Sequence, residues 1–244
     1  MENLFEGAPW HAPWLTIIAG HYGVGKTNLS LNAVRDLRCH APRDLRPTRV
    51  TLVDLDIVNP YFRSTDNRAF LEAHGIEVLG PVHGATNLDT PSLSPGIDEA
   101  IRSAGAQHAV LVDVGGDADG ARALGRFAAT VAARPYRMVF VVNLSRPETA
   151  SVAANLELLH DIEAASRLVA GEVFGNTHLK ELTTASDIVA AAASTRAVAE
   201  AAALPLTGVT APRALAAEVA ARLPDVPVYP IDPIVATPWE RQTR

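Results

Sequence analysis

The chain has 244 residues, 48% of them hydrophobic and 20% charged, with a formal net charge of −6. That length is enough to bury a full α/β core as one domain, and the acidic balance argues against a general nucleic-acid binder, which carries a basic face. A single cysteine, Cys39, excludes an internal disulfide and any centre built on several cysteines of one chain, and no run of about eighteen apolar residues marks a membrane span.

In chain order, residues 1–13 hold two acids and no Lys or Arg, unlike a secretory signal, and read as an extension held by Trp10 and Trp14. A short apolar run, 14–19, has the character of a buried parallel strand. Next comes Gly20-His21-Tyr22-Gly23-Val24-Gly25-Lys26-Thr27, followed by apolar residues at helical spacing from Asn28. Cys39 falls near the end of that helix as a partly buried thiol. Further strand-like runs lie at 49–54, 76–79, 109–113, 138–143, 168–174, 206–209 and 226–229. Helical stretches lie at 97–103, 149–165, 186–203 and 214–223, and loops at 41–47, 82–95 and 231–244. This alternation predicts an α/β fold: a three-layer, doubly wound, mostly parallel sheet of about seven to eight strands with helices on both faces. One domain is expected over 1–244, with 231–244 an irregular tail.

The glycine segment fits G-x-x-x-x-G-K-[ST] at every fixed position, between a strand and a helix. In that context Gly20, His21, Tyr22, Gly23, Val24, Gly25, Lys26, Thr27 and Asn28 form a phosphate-binding loop. Its backbone N–H groups and the helix N-terminus face the anion. Lys26 reaches the β- and γ-phosphates and Thr27 holds Mg²⁺.

Ligands of such sheets bind at the carboxyl ends of the strands. Polar residues gather there: Asp54-Leu55-Asp56, Asp113-Val114-Gly115-Gly116-Asp117, Asn143 and Asn176. Asp113 has the place of a Walker B aspartate opposite Thr27, and Gly116 can sense the γ-phosphate through its backbone. Of the two acids after the second strand, Asp56 is expected to orient the nucleophilic water and Asp54 to join the Mg²⁺ shell, or to cap a turn. Arg63, in the irregular Asn59–Ser64 stretch, can meet a phosphate, a partner subunit or a surface acid. Asn176 begins Asn-Thr-His-Leu, so Leu179 stands where a guanine-reading acid would be. Asn176 therefore suits adenine, or else tolerates a left-handed turn; Pro212 and Arg213 flank the base from the other side. The eight histidines show no metal spacing, and no hydrolase nucleophile motif is present.

The order of these motifs resembles the MinD/ParA branch of P-loop ATPases, which also holds the CobQ/CobB-type enzymes and the nitrogenase iron protein. Gly-His-Tyr-Gly-x-Gly-Lys-Thr with Asp-Leu-Asp-Ile-Val-Asn-Pro-Tyr-Phe-Arg-Ser is similar to a little-characterised MinD/ParA-like group. The resemblance runs from about residue 15 to 229 and implies ATP and Mg²⁺ as cofactors and an ATP-bound sandwich homodimer. Lys26 and Thr27 match its phosphate and Mg²⁺ residues, Asp56 its water-activating aspartate and Asp113 its Walker B residue. In that branch an Asn at the place of Asn176 contacts the base. The branch usually writes the loop Lys-Gly-Gly-x-Gly-Lys-Thr, and its first lysine reaches the partner's phosphates. Here His21 stands in that place, and a neutral imidazole supplies no fixed charge. Arg63 or Arg146 then makes the contact, or the dimer works differently.

The expected function is a cytoplasmic, nucleotide-controlled ATPase homodimer acting on an unidentified client protein. An ATP-dependent ligase or kinase for a small molecule is the alternative, with the 82–95 loop as its substrate surface. The proline-broken tail is no basic amphipathic helix, which argues against a membrane anchor.

Overall fold

The computed structural model describes residues 14–56, 64–82, 92–116, 118–146, 149–178 and 182–235. β1 (Leu15–Gly20) runs through the glycine loop into α1 (Lys26–Cys39) and β2 (Arg49–Leu55). A short 3₁₀ turn (Ser64–Asn67), α2 (Arg68–Ala73) and β3 (Glu77–Leu79) follow. Then come β4 (Pro81–Val82), β5 (Ser92–Leu93), α3 (Gly96–Ser103), β6 (His108–Val114), α4 (Ala118–Gly125) and α5 (Ala128–Ala132). The second half alternates β7 (Arg137–Val142), α6 (Val152–Ser166), β8 (Glu172–Gly175), α7 (Ala185–Ala201), β9 (Leu206–Pro212), α8 (Ala216–Arg222) and β10 (Val228–Ile231).

Eight strands form one sheet in the order β10-β9-β8-β7-β1-β6-β2-β3, and every pairing in it is parallel. The expected α/β architecture is the observed one, a P-loop fold with helices on both faces. Strand alternation divides the core. Val110, Val112, Met138 and Phe140 face one apolar cluster with Ile97, Leu159 and Ile162 of the helices. Ile18, Leu52, Leu111 and Val139 face another with Leu29, Val34 and Leu37 of α1. Each fully buried aliphatic side chain stabilises by about 1.5–3 kcal/mol relative to exposure, so a one-residue register slip would exchange the two faces at large cost.

This alternation positions the acids. Asp113 shares the parity of Ala109 and Leu111, and Asp54 that of Val50 and Leu52, so both lie on the α1 face. They are register partners across β2 and β6. The chain runs towards β2 after β1 and towards β8 after β7, so the carboxyl ends of adjacent β1 and β7 bound the switch-point crevice where ligands of doubly wound sheets bind.

Three expectations shift. The run expected at 168–174 becomes a strand only from Glu172. Arg167 ends α6 in the left-handed region at φ 59°, and Ala170 N–H donates to Glu163 Oε1, so the chain is still turning off the helix. The 82–95 loop is bounded by the antiparallel β4–β5 pair; its segment His83–Thr90 lies outside the described residues. In the 231–244 tail, residues 232–235 are held against α1 and 236–244 lie outside the described residues, as do Trp10 and Asn59–Arg63. Trp14 packs on the α1-face cluster, and Cys39 is a half-buried free thiol at the end of α1. Among the described residues, no helix is long and apolar enough to cross a membrane.

Candidate phosphate-binding site

The loop leaves β1 at Gly20, where a Cβ would collide with the Val141 carbonyl of β7. It ends at Gly25, the N-cap of α1, with φ 87° and ψ 21°. That left-handed conformation costs an L-residue about 1–2 kcal/mol, and a Cβ there would strike Asn176 Nδ2. Gly25 caps α1 with no side-chain hydrogen bond, which leaves the first N–H groups of the helix open to an anion.

Lys26 is buried and its Nζ donates to the His21 carbonyl at 2.9 Å, across the open side of the loop. His21 Nδ1 donates to the Tyr22 carbonyl at 2.8 Å, and the Tyr22 side chain is exposed. Gly116 presses on the same two residues, where a Cβ would overlap the Tyr22 backbone. Only glycine allows this approach, so the segment after β6 touches the loop directly.

Asp113 is buried on the other side of Lys26 and Thr27. Its Oδ2 accepts from Ser64 Oγ at 2.7 Å, and its Oδ1 is buried with no hydrogen-bond partner among the described residues. Burial pushes its carboxyl above the ordinary range, against the pull of Ser64, Lys26 and Thr27; the nearby Asp56 charge pushes the same way as burial. Lys26, Thr27, Asp56 and Asp113 are thus brought together. Asp56 Oδ1 also lies beside Gly115, 3.4 Å from where its Cβ would be.

Asp54, expected in the Mg²⁺ shell or as a turn cap, is held by the protein through both carboxylate oxygens. Its Oδ1 accepts from Asp56 N–H at 3.0 Å, and its Oδ2 from Thr65 N–H at 2.9 Å and Thr65 Oγ1 at 3.0 Å. The carboxylate thus ties residue 56 to residue 65. Burial, then repulsion from Asp113, pushes its pKa up to about 7, against the pull of those hydrogen bonds. Ser64 closes the motif that begins Asp-Leu-Asp without having been given a role there, and Thr65, just beyond it, escaped the sequence reading.

The side chain of Asn28 is likewise committed to the protein. Its Nδ2 donates to the Asp232 carbonyl at 3.0 Å, and its Oδ1 accepts from Ile234 N–H at 2.9 Å. Asn32 binds Asp232 N–H and carbonyl, while Arg35 and Arg213 pair with the Asp232 carboxylate. Asn176 is buried at the end of β8; its Nδ2 donates to the Val24 carbonyl at 2.6 Å and its Oδ1 accepts from Thr210 Oγ1. One end of that amide therefore braces the glycine loop, and β9 holds the other. Pro212 ends β9, three strands from β1 in the sheet, and reaches α1 only through its neighbour Arg213 and Asp232.

No family model and no curated protein matches this chain. Among solved structures it is similar to the signal recognition particle receptor FtsY from Elizabethkingia anophelis in complex with GDP. The identity is 14% and the TM-score 0.48, over 81% of this chain and 57% of that chain.

Proposed function

We propose that the protein is a Mg²⁺-dependent ATPase switch of the MinD/ParA kind, working as a nucleotide-controlled homodimer on a client protein in the cytoplasm. The observation that carries this reading is the grouping of Lys26 and Thr27 with Asp113, whose Oδ1 is buried without a hydrogen-bond partner among the described residues. A lone carboxylate oxygen beside a hydroxyl suits Mg²⁺, which takes most of its ligands from water and substrate phosphates. Among the described residues no group of three or more acids, histidines or cysteines competes for that role. Thr27 and Asp113 would hold the ion, which neutralises charge on the β- and γ-oxygens.

This chain's own residues then divide the work. The backbone N–H groups of the loop and of α1 bind the phosphates. Lys26 exchanges the His21 carbonyl for phosphate oxygens. Asp56 orients water and accepts its proton, with its backbone fixed by Asp54. Because Gly116 abuts His21 and Tyr22, a change of phosphate state at the loop is felt by the segment leading into α4. Adenine is favoured over guanine because no acid follows Asn176 at the guanine-reading spacing. With the Asn176 amide engaged on both sides, base contact falls to backbone groups and to the Pro212 side of the pocket.

The test is the solution mass of Asp56→Ala with Mg²⁺ and ATP, then with ADP. A dimer with ATP alone supports the switch. A dimer with both removes nucleotide control of assembly. A monomer with both turns the reading towards a ligase or kinase for a small molecule. Tighter GTP than ATP binding in a direct titration would remove the adenine assignment.

A further inference from the structure

The turn after β7 is the second wall of the switch-point crevice, and it presents two donors that find no acceptor among the described residues. Asn143 is fully buried at the strand end. Its Oδ1 accepts from Ser145 N–H at 3.0 Å, but its Nδ2 has no hydrogen-bond partner among the described residues. Arg146 is half-buried, and its Nε is enclosed with no partner either. Its guanidinium lies against the glycine loop: a Cβ on Gly23 would be 3.8 Å from Arg146 Nε and 3.9 Å from Cζ. Among the described residues no carboxylate pairs with it.

These positions are fixed by the fold. Thr149 Oγ1 donates to the Asn143 carbonyl at 2.6 Å, and Asn155 Nδ2 donates to the Thr149 carbonyl at 2.8 Å. Thr149 N–H closes the turn on the Arg146 carbonyl at 3.1 Å. A buried donor left unmade costs about 1–3 kcal/mol, and two of them on one turn call for an acceptor. The acceptor class is set by the surroundings: a fixed cation lying against the glycine loop, with an amide donor on the same turn, matches phosphate oxygens.

We propose that Arg146 binds the polyphosphate of the nucleotide held by its own subunit, with Asn143 Nδ2 as a second donor. Arg146 thereby supplies in cis the fixed positive charge that His21 does not. This rests on the phosphate-loop reading above and adds a residue to it. The guanidinium touches the loop within one chain, so the contact needs no second subunit. A lysine at the same place keeps the charge but loses the planar fork that lies along Gly23.

The experiment is direct titration of wild type, Arg146→Gln and Arg146→Lys with adenosine, ADP and ATP, with and without Mg²⁺, at two protein concentrations. Unfolding without nucleotide is measured on each. Arg146→Gln is expected to weaken ATP about tenfold or more, the loss of a charge-assisted hydrogen bond. It should weaken adenosine not at all, and equally at both concentrations; Arg146→Lys should recover part of the loss. Equal affinity of wild type and Arg146→Gln for ATP overturns the proposal. So does a loss shared by adenosine, or one matched by lower stability and unrestored by lysine, because either makes Arg146 a brace for the loop. A loss seen only at the higher concentration places the contact across a dimer and overturns the cis assignment. Wild type that binds no nucleotide at all fails the broader reading instead, and is distinguished by that.

Discussion

The two ends of the central strands treat buried polar groups in opposite ways. At the amino ends, Arg49, Thr51, Glu77, Ser103 and His108 close a circuit. Arg49 Nη2 donates to Glu77 Oε2 at 2.6 Å and Thr51 Oγ1 donates to the same oxygen at 2.8 Å. The Thr51 hydroxyl also lies 2.8 Å from His108 Nε2, and Ser103 Oγ lies 3.0 Å from His108 Nδ1. Burial alone would push the Glu77 carboxyl up, but hydrogen bonds from Arg49 and Thr51, with the charges of Arg49 and His108, hold it below its ordinary value. At the carboxyl ends, Asp113 and Asn143 each bury an unmatched atom, and the Asp54 and Asp113 carboxyls are pushed up. The same strands can satisfy polar groups at one end and, among the described residues, leave two of them unmatched at the other, which is the end where the proposed site lies.

The sharpest way to break this contrast is pH. Asp54 rises from 3.8 to about 7 on burial and through repulsion from Asp113. An acid that holds its proton more tightly folded than unfolded gives its full stabilisation below its unfolded pKa. It loses that contribution as pH rises through the folded one. Stability without nucleotide should therefore fall between about pH 4 and pH 7, by up to about 4 kcal/mol from this one group. Glu77 acts with the opposite sign, because its folded pKa is lowered. Its contribution is present above its unfolded value of 4.5 and is lost as pH falls through the folded one. Urea denaturation of wild type and Asp54→Asn from about pH 2 to about pH 8 measures both limbs. A slope between about pH 4 and pH 7 that persists unchanged in Asp54→Asn would mean that Asp54 does not carry it and would leave Asp113, also raised by burial, as its source.

How much of this was legible beforehand depends on whether a contact is local in sequence. Strand and helix order followed from apolar runs and periodicity, because parallel strands buried on both faces need continuous apolar residues. The glycine loop announced itself because its geometry demands glycine at Gly20 and Gly25. Asp113 was legible as the polar end of an apolar strand. The partners of these groups were not, because they arrive from distant elements. Ser64 reaches Asp113 and Asn176 reaches Val24 only after the sheet order is set, and nothing local distinguishes Thr210 or Thr65. A polar residue beside a glycine loop has two possible customers, ligand or protein, and sequence does not say which for Asp54 or Asn28. The structure adds their protein partners, residues 56 and 65 for Asp54 and residues 232–235 for Asn28.

A single substitution at the strained end should separate stability from binding. Asp113→Asn removes a buried charge but keeps the oxygen that accepts from Ser64. Without nucleotide the variant is expected to gain about 1 kcal/mol, growing as pH rises, since Ser64, Lys26 and Thr27 offset the buried charge only in part. With Mg²⁺ its nucleotide affinity should drop about tenfold or more, and without Mg²⁺ much less. Calorimetric titration and denaturation on one preparation read both. A variant that loses stability and keeps Mg²⁺-dependent binding would make Asp113 an ordinary structural acid.

The satisfied end should show the reverse at smaller size. Thr51→Val keeps the shape of a fully buried side chain in β2 and removes the hydroxyl shared by Glu77 and His108. Glu77 retains Arg49, an exposed pair worth under about 1 kcal/mol, and His108 retains Ser103, so neither group is stranded. The expected cost is about 1 kcal/mol, the net worth of one hydrogen bond. His108 is already held below its ordinary pKa by burial and then by the Arg49 charge, against the pull of Glu77. Losing the hydroxyl removes no charge from its surroundings, so the loss should not acquire a new pH dependence near neutrality. Nucleotide affinity should stay at the wild-type value, because the circuit lies at the opposite ends of the strands from the glycine loop. A change in affinity from Thr51→Val would mean that the two ends are mechanically coupled through β2, and the division of labour between them would have to be given up.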